Sequence, residues 1–219
     1  MYIVYSHGRT GSTLLAELLG CYYLTKYKPE LAFPGKFRRD QFVLWDSSDI
    51  VTPELETYPV IHTHYFKRNT ERFIPLMDKR KIFYSVRRSI VETVASSYIA
   101  DQSDYWQHYT NFRDERRPGQ KISHQLTVPH GYVISIVNGL NQMINNYKQG
   151  KANGWDAHLM VYEDWIHNFQ SIPVENFYYH QELNSLLSKK IPVDKKKLVD
   201  YNDLEKKIMR IHGSLELEV

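Results

Sequence analysis

The chain has 219 residues, 42% of them hydrophobic, with 28 basic against 25 acidic side chains and a formal charge of +3. This length can bury a sizeable core and predicts a single domain over 1–219, while the even charge balance argues against a general binder of nucleic acid or membrane surfaces. The lone cysteine, Cys21, excludes an internal disulfide, and with neither a signal peptide nor an 18-residue apolar run in view, a cytoplasmic protein with no membrane span is expected.

The predicted elements alternate between strand and helix. "YIVY" (2–5) is a β-branched and aromatic run, followed by a glycine loop and then by Leu14, Leu15, Leu18 and Leu19 at helical spacing. "YPVIHTHY" (58–65) reads as a second strand entered through Pro59, "RFIPLMDKR" as a short helix, and "KIFYSV" (81–86) as a third strand. Val91, Val94, Ala95 and Tyr98 again recur at helical spacing over 89–100. The stretch 101–129 is polar, contains "FRDERRPGQK", and reads as a solvated loop. The clearest helix is 132–149, whose stripe of Val133, Ile136, Val137, Leu140, Met143, Ile144 and Tyr147 ends at Gly150 as a stop signal. "AHLMVY" (157–162) gives a fourth strand, followed by helical segments near 181–190 and 203–212. Such alternation predicts a mainly parallel sheet covered by helices on both faces. Seventeen tyrosines suit core edges, or a surface for sugar or aromatic groups.

The segment "YSHGRTGSTLLAELLG" (5–20) carries the chemistry. A strand that turns through glycines into a helix points backbone N–H groups and the positive end of the helix dipole at one spot, which attracts phosphate. Aligning Gly11 with the second glycine of the Walker pattern puts Ser6 at the first glycine and Ser12 at the lysine. The cation of a nucleoside-triphosphate site is therefore missing, and Arg9, inside the loop, supplies another.

"GRTGSTLL" resembles the P-[KR]-[ST]-G-[ST]-[ST]-x-[LV] loop of the sulfotransferases, which binds the 5′-phosphosulfate of 3′-phosphoadenosine 5′-phosphosulfate. "KIFYSVRRSIVETVASSY" is similar to the family's second signature, a strand ending in arginine with a serine eight residues later, a spacing that Arg88 and Ser96 have. Arg87 competes for the arginine position. Glu92 stands where the family usually has aspartate, and Gly8 and Ile90 stand where it has prolines. "MVYEDW" (160–165) resembles the family's Y-E-D-[LMW] strand end, and "VIHTHY" (60–65) resembles the segment with the K-T-H catalytic histidine, with His64 at that histidine and His62 at the lysine. Lys195, Lys196 and Lys197 stand either for the loop that covers the 3′-phosphate in some members or for a solvated face.

The resemblance implies a three-layer α/β/α fold of the P-loop nucleotide-kinase type and metal-independent, in-line transfer of a sulfuryl group to an acceptor hydroxyl on a small molecule or carbohydrate. It implies that Arg9 with Thr10, Gly11, Ser12 and Thr13 holds the phosphosulfate, that Arg88, Ser96 and Tyr162 bind the rest of the nucleotide, and that His64 is the base. The chemistry agrees. A guanidinium at the bridging oxygen stabilises charge that grows in the transition state, a forked arginine and a hydroxyl suit a remote phosphate dianion, and a neutral histidine can take the acceptor's proton near neutral pH. The acceptor pocket is expected in 22–57 and 101–129. A nucleotide or small-molecule kinase using Arg9 in place of lysine, and a non-catalytic module that binds adenosine bisphosphate or a protein partner, are the alternative readings.

Overall fold

Residues 1–27, 43–46, 57–64, 77–103, 124–175 and 195–219 are described by a computed structural model of the chain. Five short strands, β1 (Tyr2–Ser6), β2 (Val43–Asp46), β3 (Val60–His64), β4 (Lys81–Val86) and β5 (Ala157–Val161), pair in the order β2-β3-β1-β4-β5. Every pairing is parallel. Parallel neighbours need crossover connections, and helices fill them: α1 (Ser12–Tyr27) follows β1, while α2 (Ile90–Ser103) and α3 (His130–Ala152) lie between β4 and β5. The chain is thus an α/β protein with an all-parallel sheet. Strands in such a sheet are buried on both faces and lose their alternation, and Ile3, Val4, Tyr5, Val60, Ile61, Ile82 and Phe83 are indeed all sealed from solvent.

The chain divides into two compact units. The first, Met1–Arg87 with Gly139–His180, holds the whole sheet and α1. Leu14, Leu15, Ala16, Leu18 and Leu19 of α1 are all buried, which suits a helix that is apolar nearly all round. Tyr84 packs edge-on against Tyr5 and Tyr147, and burial pushes its phenol up to about 12. A four-residue helix, α4 (Tyr162–Trp165), starts directly at the end of β5.

The second unit, Arg88–Asn138 with Gln181–Val219, contains α2, the start of α3, α5 (Lys195–Leu198) and α6 (Tyr201–His212). Ser89 Oγ accepts from the Glu92 N–H at 3.1 Å and so caps α2. The C-terminal segment runs beside this cap, where Ile90 N–H donates to Leu215 O at 3.0 Å and Leu217 N–H to Arg88 O at 2.9 Å. Glu92 joins three helices, taking Lys195 Nζ at 2.5 Å on one oxygen and Tyr201 OH at 2.8 Å on the other. The Asp200 side chain accepts from Asp203 N–H to cap α6, whose Leu204 and Ile208 are buried.

Several boundaries differ from the sequence reading. Helix α3 runs past Gly150 and stops at Gly154, in the left-handed region at φ +80°, with the Trp155 N–H on Gly150 O at 3.0 Å and the Gly154 N–H on Lys151 O at 3.1 Å. Gly150 serves packing instead, since a Cβ there would lie 3.0 Å from the Trp155 ring and 3.3 Å from the Tyr84 hydroxyl. β2 falls within the 22–57 stretch, where the acceptor pocket is expected and the sequence predicts no strand, and α1 extends to Tyr27. Lys195 is half-buried in its ion pair with Glu92, unlike a lysine on a wholly solvated face. Residues 65–76, 104–123 and 176–194, which include most of "RFIPLMDKR", the "FRDERRPGQK" run and the helix near 181–190, lie outside the described residues.

Candidate functional site at the end of β1

In the strand order the chain leaves β1 toward β2 on one side and later sets β4 on its other side, so the order reverses at β1. The carboxyl end of such a strand is where open parallel sheets form their ligand crevice. Three backbone angles between β1 and α1 are positive: Gly8 at φ +94°, Arg9 at +53° and Gly11 at +79°. Glycine takes this region freely, whereas an arginine held there stores about 1–2 kcal/mol. Strain of this kind collects at binding sites. Leu15 N–H makes the first bond of the helix, 3.0 Å to Gly11 O, and Gly11 has no side chain with which to cap the turn. Among the described residues the N–H groups of Ser12, Thr13 and Leu14 meet no acceptor. Three unsatisfied donors at the positive end of a helix favour an anion.

The loop is fixed from below and from the side. Ser85 Oγ on β4 donates to Thr10 O at 3.0 Å, and Thr10 Oγ1 donates back to Ser85 Oγ at 3.3 Å. The Thr10 hydroxyl is therefore turned toward the sheet. A Cβ on Gly11 would lie 2.2 Å from Tyr162 Cδ2, so the Tyr162 ring rests directly on the bare loop backbone. The Arg87 guanidinium sits 4.5 Å from the centre of that ring, with its Nε 3.6 Å from Glu163 Oε1. This commits Arg87 to packing around Tyr162. His7 lies against the backbone of Gly139, where a Cβ would approach its ring to 2.0 Å, and burial holds its imidazole below the ordinary histidine range.

The register of the sheet brings the histidines to the loop. Ser6 and His64 are paired positions on β1 and β3, and His62 and His64 share a face with ring centres 5.3 Å apart. His62 is sealed from solvent while His64 is half-buried. Of the two, His64 is therefore the one with access to a reactant. Ser6 Oγ lies 3.2 Å from His64 Nδ1 and 2.8 Å from Ser12 Oγ, which in turn lies 3.0 Å from His62 Nε2.

Of the residues singled out from the sequence, Arg9, Thr10, Gly11, Ser12, Thr13, His64 and Tyr162 belong to the first unit and surround the end of β1. Arg88 and Ser96 belong to the second, Ser96 buried on α2 and Arg88 with its backbone carbonyl held by Leu217. Sequence reasoning missed Ser6, Ser85 and the support from Arg87 and Gly139. Ser6 had a signal, since it stands at the first Walker glycine. Cys21, on α1, is no candidate nucleophile, because burial and then Glu17 push its thiol up to about 12. Among the described residues no three His, Cys, Asp or Glu side chains converge as a metal site, and no helix is long and apolar enough to cross a membrane. No protein-family model, curated protein or solved structure matches the chain.

Proposed function

We propose that the protein is a sulfotransferase that moves a sulfuryl group from 3′-phosphoadenosine 5′-phosphosulfate to an acceptor hydroxyl. The observation that carries this reading is the loop at the end of β1. Three positive φ angles and three helix amides that meet no acceptor among the described residues converge beside a half-buried histidine, with an arginine inside the turn in place of a Walker lysine. The strand order around β1 suits the three-layer, P-loop-like arrangement that the reading implies.

In this reading the amides of residues 10–13 and the Arg9 guanidinium hold the phosphosulfate. The acceptor oxygen attacks sulfur in line with the bridging S–O bond, which breaks as the new one forms. His64 takes the acceptor's proton on Nε2, and Arg9 stabilises the charge left on the departing 5′-phosphate, where catalysis needs it most. Arg88 and Ser96 serve the 3′-phosphate through side chains, a role for which Arg87, whose guanidinium lies over the Tyr162 ring, competes. The acceptor is a small molecule or carbohydrate bearing a hydroxyl, and a cytoplasmic site of action goes with this reading.

The test is transfer itself. Donor carrying a labelled sulfuryl group is incubated with the protein and a panel of hydroxyl acceptors, with ATP and magnesium carrying a labelled γ-phosphate in parallel. Label should pass from the sulfuryl donor to an acceptor, and His64→Asn should slow this by about 10² to 10⁴, the usual worth of a general base. Transfer of phosphoryl label with none of the sulfuryl label would establish a kinase instead.

A further inference from the structure

The contacts among Ser6, Ser12, His62 and His64 form a wire, His62 Nε2 to Ser12 Oγ to Ser6 Oγ to His64 Nδ1, with steps of 3.0, 2.8 and 3.2 Å. The side chains of Ser6, Ser12 and His62 are buried, and among the described residues the two hydroxyls have no other partner. Three hydrogen bonds need three hydrogens. Each serine supplies one, so a single imidazole must supply the third, and the other must present a lone pair to the wire. The tautomers of the two neutral histidines are therefore coupled. If His64 carries its hydrogen on Nδ1, its Nε2 has the lone pair of a base. If His62 supplies the hydrogen instead, His64 accepts on Nδ1, carries its hydrogen on Nε2, and cannot take a proton there.

We propose that Ser6, Ser12 and His62 are positioning residues that set the tautomer of His64, and that an anion in the glycine loop locks it in the base form. Ser12 is the first residue of α1, beside the unsatisfied amides. An oxygen of a phosphosulfate or sulfate has no hydrogen to give, so it takes the one on Ser12. The Ser12 hydroxyl then accepts from both neighbours, from Ser6 Oγ–H and from His62 Nε2–H. Having given its hydrogen to Ser12, Ser6 can only accept from His64, which must carry its hydrogen on Nδ1. The net charge of the pair does not change, since one imidazole moves a hydrogen from one ring nitrogen to the other: His62 if His64 already carries its hydrogen on Nδ1, and His64 itself if it does not. The base form, one of two tautomeric states in the empty protein, is thereby the only one left when the donor is seated. The identity of the anion rests on the sulfotransferase reading, but the hydrogen count does not.

Nitrogen-15 spectra of the histidine rings at a pH where both imidazoles are neutral count the hydrogens directly, with assignments from single His→Gln variants. In the empty protein the two wire-facing nitrogens should carry one hydrogen between them. With the loop filled by inorganic sulfate or by adenosine 3′,5′-bisphosphate they should carry two. Ser12→Ala should abolish this response, and Ser12→Thr, which keeps the hydroxyl, should restore it. A count of zero or two in the empty protein would overturn the wire, and so would a count unchanged at saturating concentrations of both ligands. If the nucleotide binds, followed by its phosphorus signals, and the count stays at one, the coupling fails while the sulfotransferase reading stands. If sulfate raises the count and the nucleotide does not bind, the coupling stands and that reading fails. The wild-type spectra decide the matter even if a serine variant does not fold.

Discussion

The turn from β1 into α1 and the turn from β4 into α2 both end a parallel strand at a helix, yet they leave their helix amides in different states. In the first, glycines and a strained arginine hold the backbone, no side chain caps the helix, and the amides of Ser12, Thr13 and Leu14 meet no acceptor among the described residues. In the second, Ser89 Oγ takes the Glu92 N–H and Leu215 O takes the Ile90 N–H. A helix start that is left open can receive an anion through its backbone. One that its own chain caps at two of its first three amides has little left to offer, so a phosphate near it is held mainly by side chains, the role proposed for Arg88 and Ser96. The first turn should therefore be intolerant of changes in backbone shape, and the second of changes in side-chain charge.

Gly11→Ala should have the largest effect on folding. It adds a Cβ 2.2 Å from the Tyr162 ring at φ +79°, and a loss of at least about 2 kcal/mol is expected in urea unfolding. Gly8→Ala is the milder control, because its Cβ would find the nearest atoms of His64 at an ordinary 3.7 Å and only the φ angle resists. Equal stabilities for the two would show that Tyr162 does not rest on the loop.

On the capped turn, Ser89→Ala should cost about 1 kcal/mol, the usual worth of an N-cap, with the same readout. A stability unchanged from wild type would mean that the C-terminal segment alone closes this helix start.

Arg9 separates backbone strain from charge. Arg9→Gly and Arg9→Ala both remove the guanidinium and should weaken donor binding alike, but the glycine variant should be the more stable by about 1 kcal/mol because of the left-handed φ. An alanine variant as stable as the glycine one would mean that residue 9 does not hold this conformation in solution.

The smallest effect concerns His7. Burial lowers its pKa from the ordinary 6.5, so the unfolded chain binds a proton more readily there than the folded one. Its contribution to stability is present above about pH 6.5 and is lost as the pH falls through the lower folded value. Melting temperatures of His7→Gln should therefore fall less steeply than those of wild type on acidification. Parallel curves would show that the ring is not buried against Gly139.

The sequence reveals the parts of the site that lie on short, continuous segments and conceals those made by register. "YIVY" and "KIFYSV" are legible as strands because runs of β-branched and aromatic residues suit a sheet buried on both faces, and the glycine loop is legible because its residue types serve only a few backbone conformations. β2 is hidden, since the four residues "VLWD" carry no periodicity and become a strand by pairing with β3. Gly150 reads as the end of α3 because a glycine that makes room for a tyrosine and a tryptophan looks the same in sequence as one that stops a helix. The wire from His62 to His64 passes through residues of β1 and α1, and only the pairing of Ser6 with His64 brings them into reach.

The role of the loop at the end of β1 is tested most directly by a thermal-shift titration with adenosine 3′,5′-bisphosphate, 5′-AMP, and ATP with magnesium, on wild type, Arg9→Gly and Arg88→Ala. The bisphosphate should raise the Tm of wild type most, with stabilisation of about 2.7 kcal/mol at roughly 100 times its Kd. The response should shrink strongly in Arg9→Gly, and in Arg88→Ala it should fall to the level of 5′-AMP as the hold on the 3′-phosphate is lost. A wild-type protein that responds to ATP with magnesium and not to the bisphosphate, or an Arg9→Gly variant that responds as wild type does, would contradict the claim that this loop seats a sulfuryl donor.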